Sequence, residues 1–220
     1  MATNFPTSLD SLTNPAAGDS LSSPSHSAQH ANVNDAVEAL QAKVGVDGSA
    51  VTGSLDYKVA NQGLTLVKTQ TIGSGVSSVT VTGAFSSAFR RYHLQISELQ
   101  GSTYANLRFN FTSSSGLYYA ALTGTVFNNT DRVAVTNGSS SYFDPLMQYS
   151  SAADAYGSFD IAAPYLAQRT VVQGTEWGSD AGCSFGGVNT GSTSYTGFTL
   201  TASTGTLSGG RIYVYGYNDG

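Results

Sequence analysis

The sequence predicts a mainly β protein: a C-terminal β-sandwich of jelly-roll type, preceded by an extended N-terminal arm and a short coiled-coil helix. Three observations carry this expectation. Only 10 % of the 220 residues are charged, while 25 glycines and 13 tyrosines accompany abundant Ser and Thr, a composition suited to short strands joined by polar turns. From residue 64 onward, apolar residues recur at a period of two, with no helical run among them. Residues 32–45 alone carry a helical stripe, with Val33, Val37, Leu40 and Val44 spaced four, three and four apart.

That stripe is narrow, the width of a coiled-coil seam rather than of a core-facing helix. Asn32 or Asn34 is the expected N-cap, Lys43 lies near the negative end, and Gly45 suits the position after the helix. So short a helix is marginal alone. It must pack either on its own chain or, as favoured here, in a parallel bundle of copies.

Residues 1–31 hold three of the five prolines and isolated apolar groups at Phe5, Leu9, Leu12 and Leu21. Such a segment is either a disordered tail or an arm that orders along a partner. The arm is the expectation, with those four residues as its anchors. Residues 46–63 read as a linker and 64–220 as the β-domain. Within it, Tyr92, Leu94 and Ile96 alternate with polar residues, as do Leu107, Phe109 and Phe111, the pattern of half-buried strands. Further strands are expected at 117–127, 131–136, 155–162, 169–176, 183–189, 195–202 and 211–217, with Asn137-Gly138 as a turn. The last strand places Tyr213, Tyr215 and Tyr217 on one face and Ile212, Val214 and Gly216 on the other. It is either buried on both sides or presents a tyrosine face to a second subunit.

Charge and composition exclude several function classes. The net charge is −5 and no basic run exists, so the footprint of a nucleic-acid binder is missing. The single cysteine, Cys183, rules out an intrachain disulfide framework and a Cys-rich zinc site. No stretch approaches the length of a membrane span. The first residues lack a basic and an apolar region, so synthesis in a cytoplasm without a secretory signal is expected.

Candidate chemistry is sparse. Gly182-Cys183-Ser184-Phe185-Gly186 matches the nucleophile-elbow pattern, yet Gly187-Val188-Asn189 continues it where an elbow needs a helix. Glu98, Asp131, Asp144, Asp154, Asp160, Glu176 and Asp180 could in principle supply a carboxylate pair, but they read more simply as turn and surface acids. His26 and His30 have helical ligand spacing without a third ligand nearby, and read as structural. Arg90, Arg91 and Arg108 could form a small basic patch, although a solvated face explains them. No catalytic residue, metal site or cofactor is therefore expected.

The stretch from Ser25-His26 through His30 and Asn34-Asp35-Ala-Val-Glu38-Ala-Leu40 to Lys43-Val44-Gly45 resembles a segment near the start of many tailed-bacteriophage virion proteins. The closing Gly209-Gly-Arg-Ile-Tyr-Val-Tyr-Gly216 resembles the final strand of β-sandwich domains in such proteins. The resemblance implies a virion structural protein, usually a homotrimer, made in a bacterial cytoplasm and attached to other virion proteins by its N-terminus. The modest length favours a capsid or neck decoration or a short fibre. The alternative is a tail-associated receptor-binding fibre, which would recognise a host surface glycan through the Tyr/Ser/Gly/Asn-rich loops 113–119, 137–143 and 189–195. Neither reading requires nucleic acid or membrane.

Overall fold

A computed structural model describes residues 25–114, 116–126, 132–178 and 181–218, together with Gly18, Ser20 and Ser22. The anchors Phe5, Leu9, Leu12 and Leu21 lie outside the described residues. The chain divides into two compact units, residues 1–62 and 63–220.

The first unit contains α1 (His26–Val44) and α2 (Leu55–Ala60). The helix expected at 32–45 begins six residues earlier, at His26 with Ser25 as its N-cap, so residues 26–31 belong to it rather than to the arm. Asn32 is an interior residue, buried to 9 % exposure, and not a cap. The cause is the sequence His-Ser-Ala-Gln-His-Ala, which carries no apolar stripe and yet nothing that breaks a helix. Gly45 closes α1 as expected: its φ of 89° is glycine territory, and its N–H donates to the Gln41 carbonyl at 2.8 Å. The stretch expected to be linker holds α2, capped where Tyr57 N–H donates to Ser54 Oγ at 3.2 Å. Asp56 turns back to accept from Ser49 N–H at 2.9 Å.

The second unit is built from β1 (Leu64–Thr71), β2 (Ser74–Val76), β3 (Ser78–Val81), β4 (Arg91–Gly101), β5 (Ala105–Phe111), β6 (Tyr118–Val126) and β7 (Arg132–Ser140). It continues with β8 (Phe143–Tyr149), β9 (Ala155–Ala162), β10 (Thr170–Trp177), β11 (Ala181–Asn189), β12 (Phe198–Ala202), β13 (Leu207–Ser208) and β14 (Arg211–Tyr217). The larger sheet runs β1-β14-β4-β9-β10-β11-β6-β7, with β13 and β2 attached beside β4, and the smaller runs β3-β12-β5-β8. All the pairings are antiparallel.

The two sheets share one core, rich in aromatic side chains. On β5, Phe109 stacks on Phe198 with ring centres 5.0 Å apart, and Phe111 stacks on Tyr195 at 4.5 Å. Phe143 of the small sheet meets Tyr118 and Phe185 of the large one edge-on, at 4.8 and 5.5 Å. Three tyrosines in this core, Tyr92, Tyr118 and Tyr195, place their hydroxyls on polar partners, as burial demands. Tyr118 Oη accepts from Phe111 N–H at 2.8 Å, and Tyr195 Oη donates to Asn189 at 2.8 Å. Desolvation pushes the Tyr118 hydroxyl up to about 12.

Two strand expectations needed correction. Asn137-Gly138, expected as a turn, lies inside β7, at a register shift opposite β6. Strand β8 carries no period-two signal in the sequence, because Pro145, Leu146 and Met147 are buried in succession. Pro145 is tolerated because β8 is the edge strand of its sheet.

Candidate functional site

The outer face of the larger sheet carries the polar cluster most suited to a ligand. Strand alternation puts His93 of β4 on that face, register places Asp160 of β9 directly opposite it, and Ser158 lies opposite Gln95. On the next strand, Gln173 and Thr175 of β10 face Asp160 and Ser158. With Tyr217 of β14, these side chains line a shallow cleft of about 440 Å³.

A connected hydrogen-bond network organises the cleft. His93 Nδ1 donates to Asp160 Oδ1 at 2.9 Å, and Tyr217 Oη donates to the same oxygen at 2.7 Å. Arg91 Nη2 stands 3.7 Å from Asp160 Oδ2, and its guanidinium lies over the Tyr217 ring at 4.8 Å. Ser158 Oγ is 3.4 Å from His93 Nε2. Partial burial alone would raise the Asp160 pKa, but the hydrogen bonds from His93 and Tyr217 and the nearby Arg91 hold it below the usual carboxylate value. Burial and the Asp160 bond together raise Tyr217.

A depressed carboxylate pKa stabilises the fold above its unfolded value, and that stability is lost as pH falls through the folded value. Asp160→Asn should therefore lower the melting temperature at pH 7. The gap to wild type should close in acid, as Asp160 itself protonates. Melting curves of both proteins between neutral pH and about pH 3 check this, a window that brackets the ordinary Asp value; a constant gap would contradict it.

The order Ser158, His93, Asp160 is that of a nucleophile, base and orienting acid. The backbone beside Ser158 offers this arrangement no free oxyanion donor. β9 lies between β4 and β10, so the backbone N–H groups beside Ser158 belong to the two ladders rather than to a substrate oxygen. The elbow-like Ser184 lies mid-strand in β11, which continues to Asn189 without a turn or helix. It sits opposite Thr175, with β10 and β9 between its strand and that of His93. Cys183 points the other way, into the core.

The other candidates disperse. Arg91 lies on the large sheet and Arg108 on the small one, where Arg108 pairs with Asp144 at 2.9 Å, so no shared basic patch forms. Asp154 accepts from Gln100 at 2.8 Å. Glu176, read as a surface acid, is buried at 1 % exposure. Asp131 and Asp180 lie outside the described residues. His26 Nε2 and His30 Nε2 are 3.1 Å apart on α1, and no cluster of three metal-ligating side chains occurs among the described residues. No helix among them is long and apolar enough to cross a membrane.

The helix stripe is open to solvent: Val33, Val37, Leu40 and Val44 are 45–53 % exposed. The C-terminal tyrosines are half-buried, with Tyr213 and Tyr215 stacked at 6.4 Å and Tyr217 committed to Asp160. The loops expected to carry recognition are less free than their composition suggests. Tyr118 and Tyr195 are buried, and residues 137–140 belong to β7. Sequence reasoning missed Ser158 and Asp160 as a site. Their i, i+2 spacing on one strand was visible, but only register brings His93 to them.

Comparison of the chain with known proteins found no matching family model, no similar curated protein and no similar solved structure.

Proposed function

We propose that this chain is a non-enzymatic virion structural protein, a trimeric capsid or neck decoration or short fibre attached to its particle through the residues that precede α1. One observation carries the self-assembling part of the reading. All ten valines and leucines between residues 33 and 66 are at least 45 % exposed: four on α1, two on α2, two between the helices, and Leu64 and Leu66 on β1. Within the first unit, the four exposed stripe residues lie on one face of α1, which marks an interaction surface rather than ordinary surface scatter. Pairing α1 with its own copies as a coiled coil would bury the stripe, and the resemblance of residues 25–45 to virion proteins favours three copies. The C-terminal unit then serves as an outward-facing sandwich, jelly-roll-like in its role as a compact β-module. Its Ser158–His93–Asp160 chain lacks oxyanion donors from the backbone, which supports a non-enzymatic reading.

The test is a comparison of the full chain with a truncated chain beginning at Leu64. The full chain should behave as a trimer and decorate particles, seen by antibody labelling in electron microscopy. The truncated chain should remain folded, be monomeric and fail to join particles. A monomeric full chain, or decoration by the truncated one, would overturn the proposal.

A further inference from the structure

We propose that the outer face of the larger sheet binds a linear, neutral polysaccharide in a trough running across its strands. The trough is independent of the particle reading. Two depressions form it. The first is the cleft at His93, Asp160 and Gln173. The second, about 560 Å³, is lined by Tyr119, Ala121, Thr136 and Gly186 among others. They meet where Gln173 of β10 stands opposite Gly186 of β11, which in turn faces Ala121 of β6. The floor is low there because glycine and alanine occupy outward positions that elsewhere carry longer side chains. From β4 to β6 the trough crosses four inter-strand steps, about 19 Å at ordinary strand spacing, room for several sugar rings in line.

The chemistry of the walls selects the occupant. Asp160 is the one carboxylate lining the cleft, and its Oδ1 already accepts two hydrogen bonds while Oδ2 faces Arg91. A charged ligand would therefore meet no uncompensated partner, and the row of cations that a nucleic acid needs is missing. What remains is short-range donor and acceptor capacity from Ser158, Thr175 and exposed Gln173, matched to hydroxyl groups that act both ways. A peptide would seek either a strand edge or deep apolar anchor pockets. This surface is the face of a sheet, lined by small and hydroxylated residues. Aromatic rings stand at both ends: Tyr119, 39 % exposed, at one and Tyr217 at the other. Such rings stack on the apolar faces of sugars; the Tyr217 hydroxyl is already held by Asp160, so the ring's uncovered face is what it offers.

Gly186 makes the trough open to a clean test. A Cβ built there meets nothing within 4 Å, so Gly186→Ile fills the trough without touching the core and suits a strand. The full chain is titrated calorimetrically with maltohexaose, cellohexaose and mannohexaose, and with hexagalacturonate as the charged comparator. At least one neutral hexaose should bind with Kd of about 1 mM or tighter, insensitive to salt. Gly186→Ile should weaken it about tenfold or more at an unchanged melting temperature. Gln173→Ala, at an exposed position, should weaken it less but in the same sense. The proposal is overturned if no neutral hexaose binds at about 10 mM, if Gly186→Ile binds as wild type does, or if only hexagalacturonate binds. Because the titration uses the isolated chain, failure to bind sugar leaves particle attachment untouched. Failure to decorate particles likewise leaves the trough untouched.

Discussion

If α1 is the seam of the proposed trimer, Leu40→Asp is expected to leave the protein monomeric at concentrations where the wild type associates. Leu40 sits in the middle of the α1 stripe and is 53 % exposed in the single chain, so the substitution removes nothing from the fold of one copy. In a self-associated bundle the same side chain is a seam residue. Burying a leucine contributes roughly 2 kcal/mol, so losing three copies costs about 6 kcal/mol, or about four orders of magnitude in the association constant. Three carboxylates forced together at the seam add a further cost, since unpaired charges resist desolvation. The β-domain should melt as before. Sedimentation across a concentration series decides the matter: if Leu40→Asp associated as tightly as wild type, α1 would not be the interface. Asp35→Ala, on the same helix but off the stripe, serves as the control.

What could be read from the residues depended on whether one face of an element was buried alone. Tyr92, Leu94 and Ile96, and again Leu107, Phe109 and Phe111, alternate because one side meets the core and the other meets solvent. The stripe on α1 was legible from its spacing, but the first turns of that helix were not, because residues 26–31 carry no apolar marker. Strand β8 hid behind Pro145 and three consecutive buried residues. In β7 the register shift beside Asn137 absorbs a dipeptide that elsewhere makes a turn. The outer-face cluster was the least legible feature. Each of its residues is an ordinary polar position on an alternating strand, and only the non-sequential order β14-β4-β9-β10 brings Tyr217, His93, Asp160 and Gln173 side by side. Strand order is a property of long-range packing, and no local period encodes it.

The packing of the core makes the second large prediction. Phe109→Ala should cost about 3–5 kcal/mol, a large fraction of the 5–15 kcal/mol that holds typical domains folded. Phe109 is fully buried on β5, the strand that lies between β12 and β8. Its ring stacks on Phe198 at 5.0 Å with a tilt of 17°, meets Phe111 edge-on at 4.9 Å, and lies 5.9 Å from Phe143. These neighbours cannot close the resulting cavity easily. Phe198 and Phe143 sit on the two strands flanking β5, so their backbones are fixed by the ladder, and Phe111 is held by its own stack on Tyr195. A cavity that cannot collapse carries the full loss of contacts. The midpoint of thermal unfolding should drop by about 10 °C for a domain of this size. Phe109→Leu, which keeps most of the volume, should recover more than half of the loss. A drop of less than about 1 kcal/mol for Phe109→Ala would mean that the two sheets do not share a core centred on these rings.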